Sequence, residues 1–595
     1  MGDLRRAARE HLKRPDLDAN PEFDPTDIAI PGGLDLLRQE LSSKGNTNHL
    51  ETCENLLVVQ GYLKAWGSRS LSEDDKNAAN DLYDWAAAIA LPSSLFAESE
   101  SLSEKIDIIR DSRFRLTLAI SVLSYLTGLL PIQRAFNAPD IIVALASFTS
   151  EKDAWVTKES FAKSTTVLQA YITERRLEND PSLWSMIEYI LKNRIKPLFS
   201  KTRNPAITAA GRKNFHPIPL PRFDMSVLDP ETKPWKVSDV YATTVFSWII
   251  MQYLPTDRDH LEAHFPLLVP PILALIDDES LPFKAHGCSL LSQFLIPIRE
   301  SGSDILRRSN LSSVFEEAVT PCLLSLPTIT PEDDSLQLLG VAYPALLSLL
   351  KTSYGYPSYK LPHPSSRHQQ LSKDKQKYTD SVTKVLRFNL IPSFHHISST
   401  NPASVSSFAS FPFPRLSAFL VEQITIAVNE LQIHTTKYLQ ELIPLLYSTL
   451  SSPFGTAYPL LLLAATTATC AVILNAHPRV WRWRGELLGG ACSCWLQVSE
   501  EEKRIAEQAA RGEEAQPDRS GSQGLVKLRM QLRSLVYLLK FTLLNPIPVQ
   551  GQLDAGQLDA KEKIQKELQE LVHADDDLRD LLFFEIGPDD ANKFF

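Results

Sequence analysis

Apolar positions in this chain recur every three to four residues, in paired runs separated by short polar turns. The clearest pair is residues 264–295, HFPLLVPPILALIDDESLPFKAHGCSLLSQFL. Leu267, Leu268, Ile272, Leu275 and Ile276 fall at helical spacing, the Pro270-Pro271 pair offers a place to bend, and Asp277 and Asp278 sit where this first helix ends. Leu281, Leu290, Leu291, Phe294 and Leu295 then share one face of a second helix, with Pro282 in its first turn, where a missing backbone donor costs little. Two short amphipathic helices cannot bury both apolar faces against each other, so such hairpins need neighbours stacked on either side. The pattern predicts an all-α fold, a HEAT-like α-solenoid of stacked helical hairpins with long loops.

The same period holds over 56–66, 81–91, 113–130, 161–171 and 183–199, and no comparable run alternates with period two. Breaks in the pattern divide the chain. An N-terminal helical array spans 1–200, and residues 201–236, with six prolines and seven Lys or Arg against three acids, read as a linker. Central repeats occupy 237–351, a polar linker 352–377, and C-terminal repeats 378–550, interrupted by an acidic insertion at 499–524. The remainder, 551–595, is an acidic tail that opens on a tandem GQLDA and carries a short terminal helix. Helix-end signals support the central hairpins. Ser313 with Glu316 fits a capping box after Asn310, and Thr330-Pro331-Glu332-Asp333 reads as N-cap, proline and two acids favoured by the helix dipole.

Length and charge narrow the possibilities. A chain of 595 residues would suggest about four domains at ~150 residues each, but a repeat array simply lengthens its core. The formal net charge is -10, and the tail alone holds 12 acidic against 5 basic side chains. Such a protein gains nothing from counterion release on DNA or RNA, so no nucleic-acid partner is expected. Six cysteines scattered through apolar segments resemble no disulfide framework and point to a reducing compartment. The charged start, MGDLRRAAREHLKR, has no apolar core of a secretory signal. Residues 457–474 carry no charge over 18 positions, but three threonines and Pro459 favour a buried inner helix over a membrane span.

Catalytic signatures are missing: there is no P-loop, G-x-G-x-x-G, G-x-S-x-G or H-E-x-x-H, and neither enzyme activity nor a cofactor is expected. His260 and His264 stand one helical turn apart without a third ligand of fixed spacing, so no metal is expected either. Cys492 and Cys494, two apart on a helix, point in different directions and read as packing. Asp277, Asp278 and Lys284 have the spacing of a repeat-turn device, in which the acid accepts backbone donors and the base pairs with an acid of the adjoining repeat. Trp481-Arg482-Trp483-Arg484 mixes aromatics and cations. Trp483, Leu487, Ala491 and Trp495 make one apolar stripe, which leaves Arg482 and Arg484 to meet an acidic partner. In the tail, Leu578, Leu581, Leu582 and Phe584 follow Asp575-Asp576-Asp577 at helical spacing, either to shield the last hairpin or to reach a partner. Trp481, Arg482, Arg484, Leu581 and Phe584 are thus the partner-binding candidates, and the third array, 378–544, where aromatic and uncharged content is densest, is the expected main contact.

The stretches HFPLLVPPILALIDD and KAHGCSLL, followed by LRRSNLSSVFEEAVTPCLLSLPTITPEDDSLQLLGVAYPALLSLL, resemble the central signature of the Tel-two-interacting-protein-two family. The resemblance is specific over residues 264–350 and departs from the family at Asn310, where glycine is expected. It implies a noncatalytic subunit of the Triple-T co-chaperone assembly, with two larger helical-repeat subunits as partners. Through them it implies support for the stability of phosphatidylinositol-kinase-related kinases with the heat-shock-ninety chaperone system, in cytoplasm and nucleus. It supplies no catalytic residues. The alternative is a transport or trafficking adaptor of the same fold class, which needs a ladder of Asn or Trp, or an acidic lining, along successive inner helices. The repeats show neither.

Overall fold

The computed structural model describes residues 2–13, 23, 32–43, 49–67, 71–97, 106–178, 180–202, 204–208, 210–217, 230–354, 365–398, 411–510, 519–545 and 560–584. Among these residues the regular structure is helical, apart from one isolated antiparallel bridge between Ile207 and Lys213. Two compact units divide the chain, Met1–Asp278 with Leu290–Val314 and Glu279–Ser289 with Phe315–Phe595.

In the first unit the helices run α1 (Gly2–His11), α2 (Leu34–Ser43), α3 (His49–Trp66), α4 (Glu73–Ala90), α5 (Ile106–Leu129), α6 (Ala138–Ala146), α7 (Lys158–Leu177), α8 (Ser182–Ile190), α9 (Pro234–Val237), α10 (Ala242–Met251) and α11 (Arg258–Ile276). α1 packs on α3, α3 on α5 and α5 on α7, while α2 packs on α4, α4 on α6 and α6 on α8. Helices two apart in the chain are therefore neighbours in space, the contact order of stacked hairpins. Local signals set the ends. Ser72 caps α4 through Asp75, whose carboxylate also accepts the Leu34 amide at 2.8 Å and so pins the start of α2 to α4. Thr157 and Ser160 form the corresponding cap of α7.

The hairpin singled out in the sequence is α11 followed by α12 (Leu281–Glu300), then α13 (Ile305–Ser309) and α14 (Ser312–Val319). α13 ends at Asn310 in the left-handed conformation, φ 56° and ψ 26°. The capping box expected from Ser313 and Glu316 does not form, because α14 already begins at Ser312. Ser313 instead accepts a hydrogen bond from Lys213 Nζ at 2.7 Å. That lysine comes from the segment expected to be a linker, of which 201–202, 204–208, 210–217 and 230–236 are described. Gly211 (φ 64°) sits so close to α11 that a side chain there would lie 2.8 Å from Pro266 Cα, and the Lys213 amide donates to Ser309 O at 2.9 Å. Residues 218–229 of that segment lie outside the described residues.

The second unit contains α15 (Glu332–Tyr354), α16 (Ser365–Val385), α17 (Ile391–Ser398), α18 (Pro414–Leu431), α19 (Leu439–Leu450), α20 (Pro459–Val480), α21 (Arg484–Ala510), α22 (Arg519–Leu544), α23 (Ala560–Ala574) and α24 (Arg579–Leu582). α18, α20 and α22 lie side by side in one layer, with α19 and α21 in a second. The uncharged run at 457–474 falls largely in α20, which passes the length and hydropathy test for a membrane span. It buries Leu461, Leu462, Ala465, Ala468, Val472 and Ile473 between its neighbours. Its threonines fit an apolar interior, since the Thr466 and Thr469 hydroxyls donate to the carbonyls four residues back, each at 2.7 Å. Two polar segments are more helical than their composition suggested: 365–377 opens α16, and 499–510 extends α21. A helix held along one apolar edge tolerates a polar remainder. Residues 355–364 of the polar linker, 511–518 of the acidic insertion, 546–559 with the tandem GQLDA, and 585–595 lie outside the described residues.

Two outcomes test this packing. Leu290, 1% exposed in α12, is expected on substitution by Asp to cost about 3–5 kcal/mol, because an unpaired charge enters a closed apolar face. Thermal denaturation of the full chain checks this, and an unchanged melting temperature would refute the register. The second outcome concerns acid. Burial alone would raise the Glu262 carboxyl, but hydrogen bonds from Ser303, Arg258 and Arg308, with the Arg308 charge, hold it down at about 2. A folded-state value below the ordinary 4.5 means stability that is present above that pH and lost as pH falls toward about 2. Glu262→Gln is expected to flatten the fall in melting temperature across that window.

Candidate functional site

The repeat-turn residues separate in space. Asp278 is fully buried and accepts from Lys233 Nζ at 2.7 Å and Lys236 Nζ at 3.0 Å, the two lysines flanking the start of α9. Asp277 accepts from Asn204 Nδ2 at 2.7 Å. Lys284, expected to carry the basic end of the ladder, makes no ion pair among the described residues. Its place is taken by lysines more than 40 positions earlier, beyond the reach of a reading based on spacing within one hairpin. The histidines serve packing. His264 Nδ1 lies 2.7 Å from the Tyr253 hydroxyl, His260 stacks on Trp184 at 4.7 Å, and no group of three metal-ligating side chains occurs among the described residues. Cys492 and Cys494 are buried, which pushes both thiols up to about 12.

Most of the partner-binding candidates are engaged inside the second unit. Trp481 is buried with the Arg484 guanidinium 4.7 Å from its ring centroid, and Arg484 grips Glu567 of α23 with two bonds of 2.7 and 3.1 Å. That bidentate pair holds α23 against the start of α21. Leu581 is buried, and Phe584 lies under Arg533, 4.9 Å from its ring centroid. Trp495, fully buried, donates Nε1–H to Asp577 O at 2.9 Å, with Arg529 and Arg533 at 4.2 and 5.3 Å from its ring. Lys503 closes the set on Asp577 at 2.6 Å. Of the two roles left open for the tail, its described part takes the first and covers the last hairpin. Arg482 alone of the five is exposed. The cations of α22 that bind the aromatics were legible as residues, but nothing in their spacing named their partners.

One exposed apolar surface is the outer face of α18, α20 and α22. Asn475 Nδ2 donates to Asn429 Oδ1 at 2.9 Å, which ties the C-terminal ends of α18 and α20, while Gly524 lies against Pro459 at the N-terminal ends of α20 and α22. The three helices therefore run parallel and level. On α20, Leu460, Leu463, Thr467, Cys470 and Leu474 fall within an arc of about 80° and form its outward stripe, with Leu460 69% and Leu474 57% exposed. On α22, Val526, Met530, Tyr537, Phe541 and Leu544 fall within about 60°, and Phe541 is 57% exposed. α18 adds Glu422 and Ile426, with the half-buried Phe419 at the edge, its ring 6.1 Å from that of Tyr343. The inner faces of these helices were visible in the sequence as helical periodicity. The outer stripes were hidden, because α20 is apolar all round and periodicity cannot say which side meets water.

The Tti2 family matches residues 141–457, more than half of the chain. No curated protein matches it. Solved structures of Kap121p are similar at 10% identity: a triple mutant aligns over 91% of this chain and 52% of its own with a TM-score of 0.28. The Kap121p complex with Ste12p aligns over 91% and 56% with a TM-score of 0.24. This chain thus spans about half the length of those solenoids. The family match covers the hairpin of α11 and α12 with its paired Asp278, the turn at Asn310, and the stack through α18 and α19, and by it the chain belongs to the Tti2 family.

Proposed function

We propose that this chain is a noncatalytic scaffold subunit of the Triple-T co-chaperone complex. In that role it joins two larger helical-repeat subunits and, with the heat-shock-ninety system, supports the stability and assembly of phosphatidylinositol-kinase-related kinases in cytoplasm and nucleus. The observation that carries the reading is the family match over residues 141–457. The physical character of the chain agrees with it. Its displaced titratable groups have packing explanations: burial pushes Asp153 up to about 6, where it accepts the Thr244 hydroxyl at 2.5 Å, and Glu262 is a strut between helices. An apolar outer layer on rigid helices is suited to holding another protein rather than to turning over a small substrate.

The test is depletion in the native cell together with purification of the tagged full chain. Expected are co-purification of both larger subunits, tagged protein in both the cytoplasmic and nuclear fractions, and a fall in the kinase proteins without a fall in their messages. Unchanged kinase levels, with no helical-repeat subunit recovered, would sink the proposal.

A further inference from the structure

The outer face of α18, α20 and α22 is large, level and almost uncharged. Its stripes run about 21 Å on α20, about 27 Å on α22 and about 10 Å on α18 at 1.5 Å per residue. Two interaxial steps of ~8–10 Å set its width. That gives roughly 350 Å² in projection, a corrugated surface that supplies a large part of the ~800 Å² of accessible area each partner contributes to a stable interface. α20 contributes no charge before Arg479, and the charged groups bordering the layer are few. Arg415 is already paired with Asp333 at 2.6 Å. Glu422 and Lys527 have no ion-pair partner among the described residues, and burial pushes the Glu422 carboxyl above its ordinary value. A carboxylate partly desolvated beside apolar side chains is a cost that a basic group from outside would relieve.

The chemistry of the occupant follows from what this face lacks. It has no strand edge, and an extended peptide laid on it would bury backbone donors and acceptors without partners. A helix carries its own backbone bonds and fits the grooves between parallel helices. A lipid surface wants a dense basic rim, and this one offers Lys527 against Glu422. We propose that this face receives two apolar helices of another helical-repeat chain, seated along the grooves α18–α20 and α20–α22, with a basic side chain against Glu422 and an acidic one against Lys527. The inference rests on the proposed place of this chain among larger helical-repeat subunits and assigns the surface that holds them.

The experiment uses the full chain and measures its capture of the larger helical-repeat subunits. Leu474→Glu combined with Phe541→Glu is expected to weaken capture about 10-fold or more while the circular-dichroism melt stays that of the wild type, since both side chains point outward. Phe215→Glu, an equally exposed aromatic in the first unit, is expected to leave capture unchanged. Glu422→Lys and Lys527→Glu are each expected to slow association, with the effect reduced at high salt. Hydrogen exchange on the purified complex is expected to show protection in 415–426, 460–474 and 526–544. Wild-type capture matched by the double variant, with no protection in those segments, overturns the surface and leaves the function standing. No capture by the wild type overturns the function and this inference with it. A wild-type dimer that the double variant dissociates, or flotation with phosphatidylcholine–phosphatidylserine vesicles that it abolishes, names a different occupant and overturns the proposal as stated.

Discussion

The structure depends on apolar faces that no single hairpin can close. From α1 to α8 each helix is covered by the helix two places along, α3 by α1 and α5, α5 by α3 and α7, and the layer α18, α20, α22 repeats the arrangement in the second unit. The stabilising contact is thus always with a neighbouring repeat, and a charge placed at Leu290 disturbs the stack rather than one helix. α20 shows the limit of this logic. It is apolar on the sides that meet α18 and α22, and apolar again on the side that meets water.

Electrostatics orient what burial holds. Asp278 between Lys233 and Lys236, Glu54 between Arg5 and Arg9, and Glu262 among Ser303, Arg258 and Arg308 each fasten one helix to a segment distant in the chain. A buried carboxylate is costly unless it is paired, so Asp278 and Glu54 are held by the lysines and arginines that meet them. The end of the second unit uses the same means. Trp495 between Arg529 and Arg533, and Arg484 on Glu567, secure the closing helices and keep the last apolar face from water.

That closure changes where a partner can bind. The aromatic and basic residues that stand out in the sequence, Trp481, Arg484 and Trp495, are taken up by the fold. Exposed Leu, Val, Met and Phe side chains line instead the outer side of three parallel helices. Interfaces take their energy from desolvated apolar centres and their register from a few charges, and in the surface we propose Glu422 and Lys527 are those charges.

The sequence by itself determined the all-helical class, the hairpin at residues 264–295, the left-handed turn at Asn310 and the family, because each rests on local periodicity, on capping chemistry or on a contiguous motif. It also held the two roles of the tail, without choosing between them. Tertiary structure supplied the covering role, because shielding a terminal repeat depends on whether Trp495 and Asp577 meet across 82 residues of chain. It likewise decided that Asp278 pairs with Lys233 and Lys236 while Lys284 stands outside the ladder, and that the polar stretches at 365–377 and 499–510 are helical. Which side of α20 faces outward was settled only by the packing of α18 and α22 against it, which buries Leu461, Leu462, Ala465, Val472 and Ile473 and leaves Leu460 and Leu474 exposed. Periodicity fixes the angle between residues on a helix. The rotation of that helix in the stack is fixed by its neighbours.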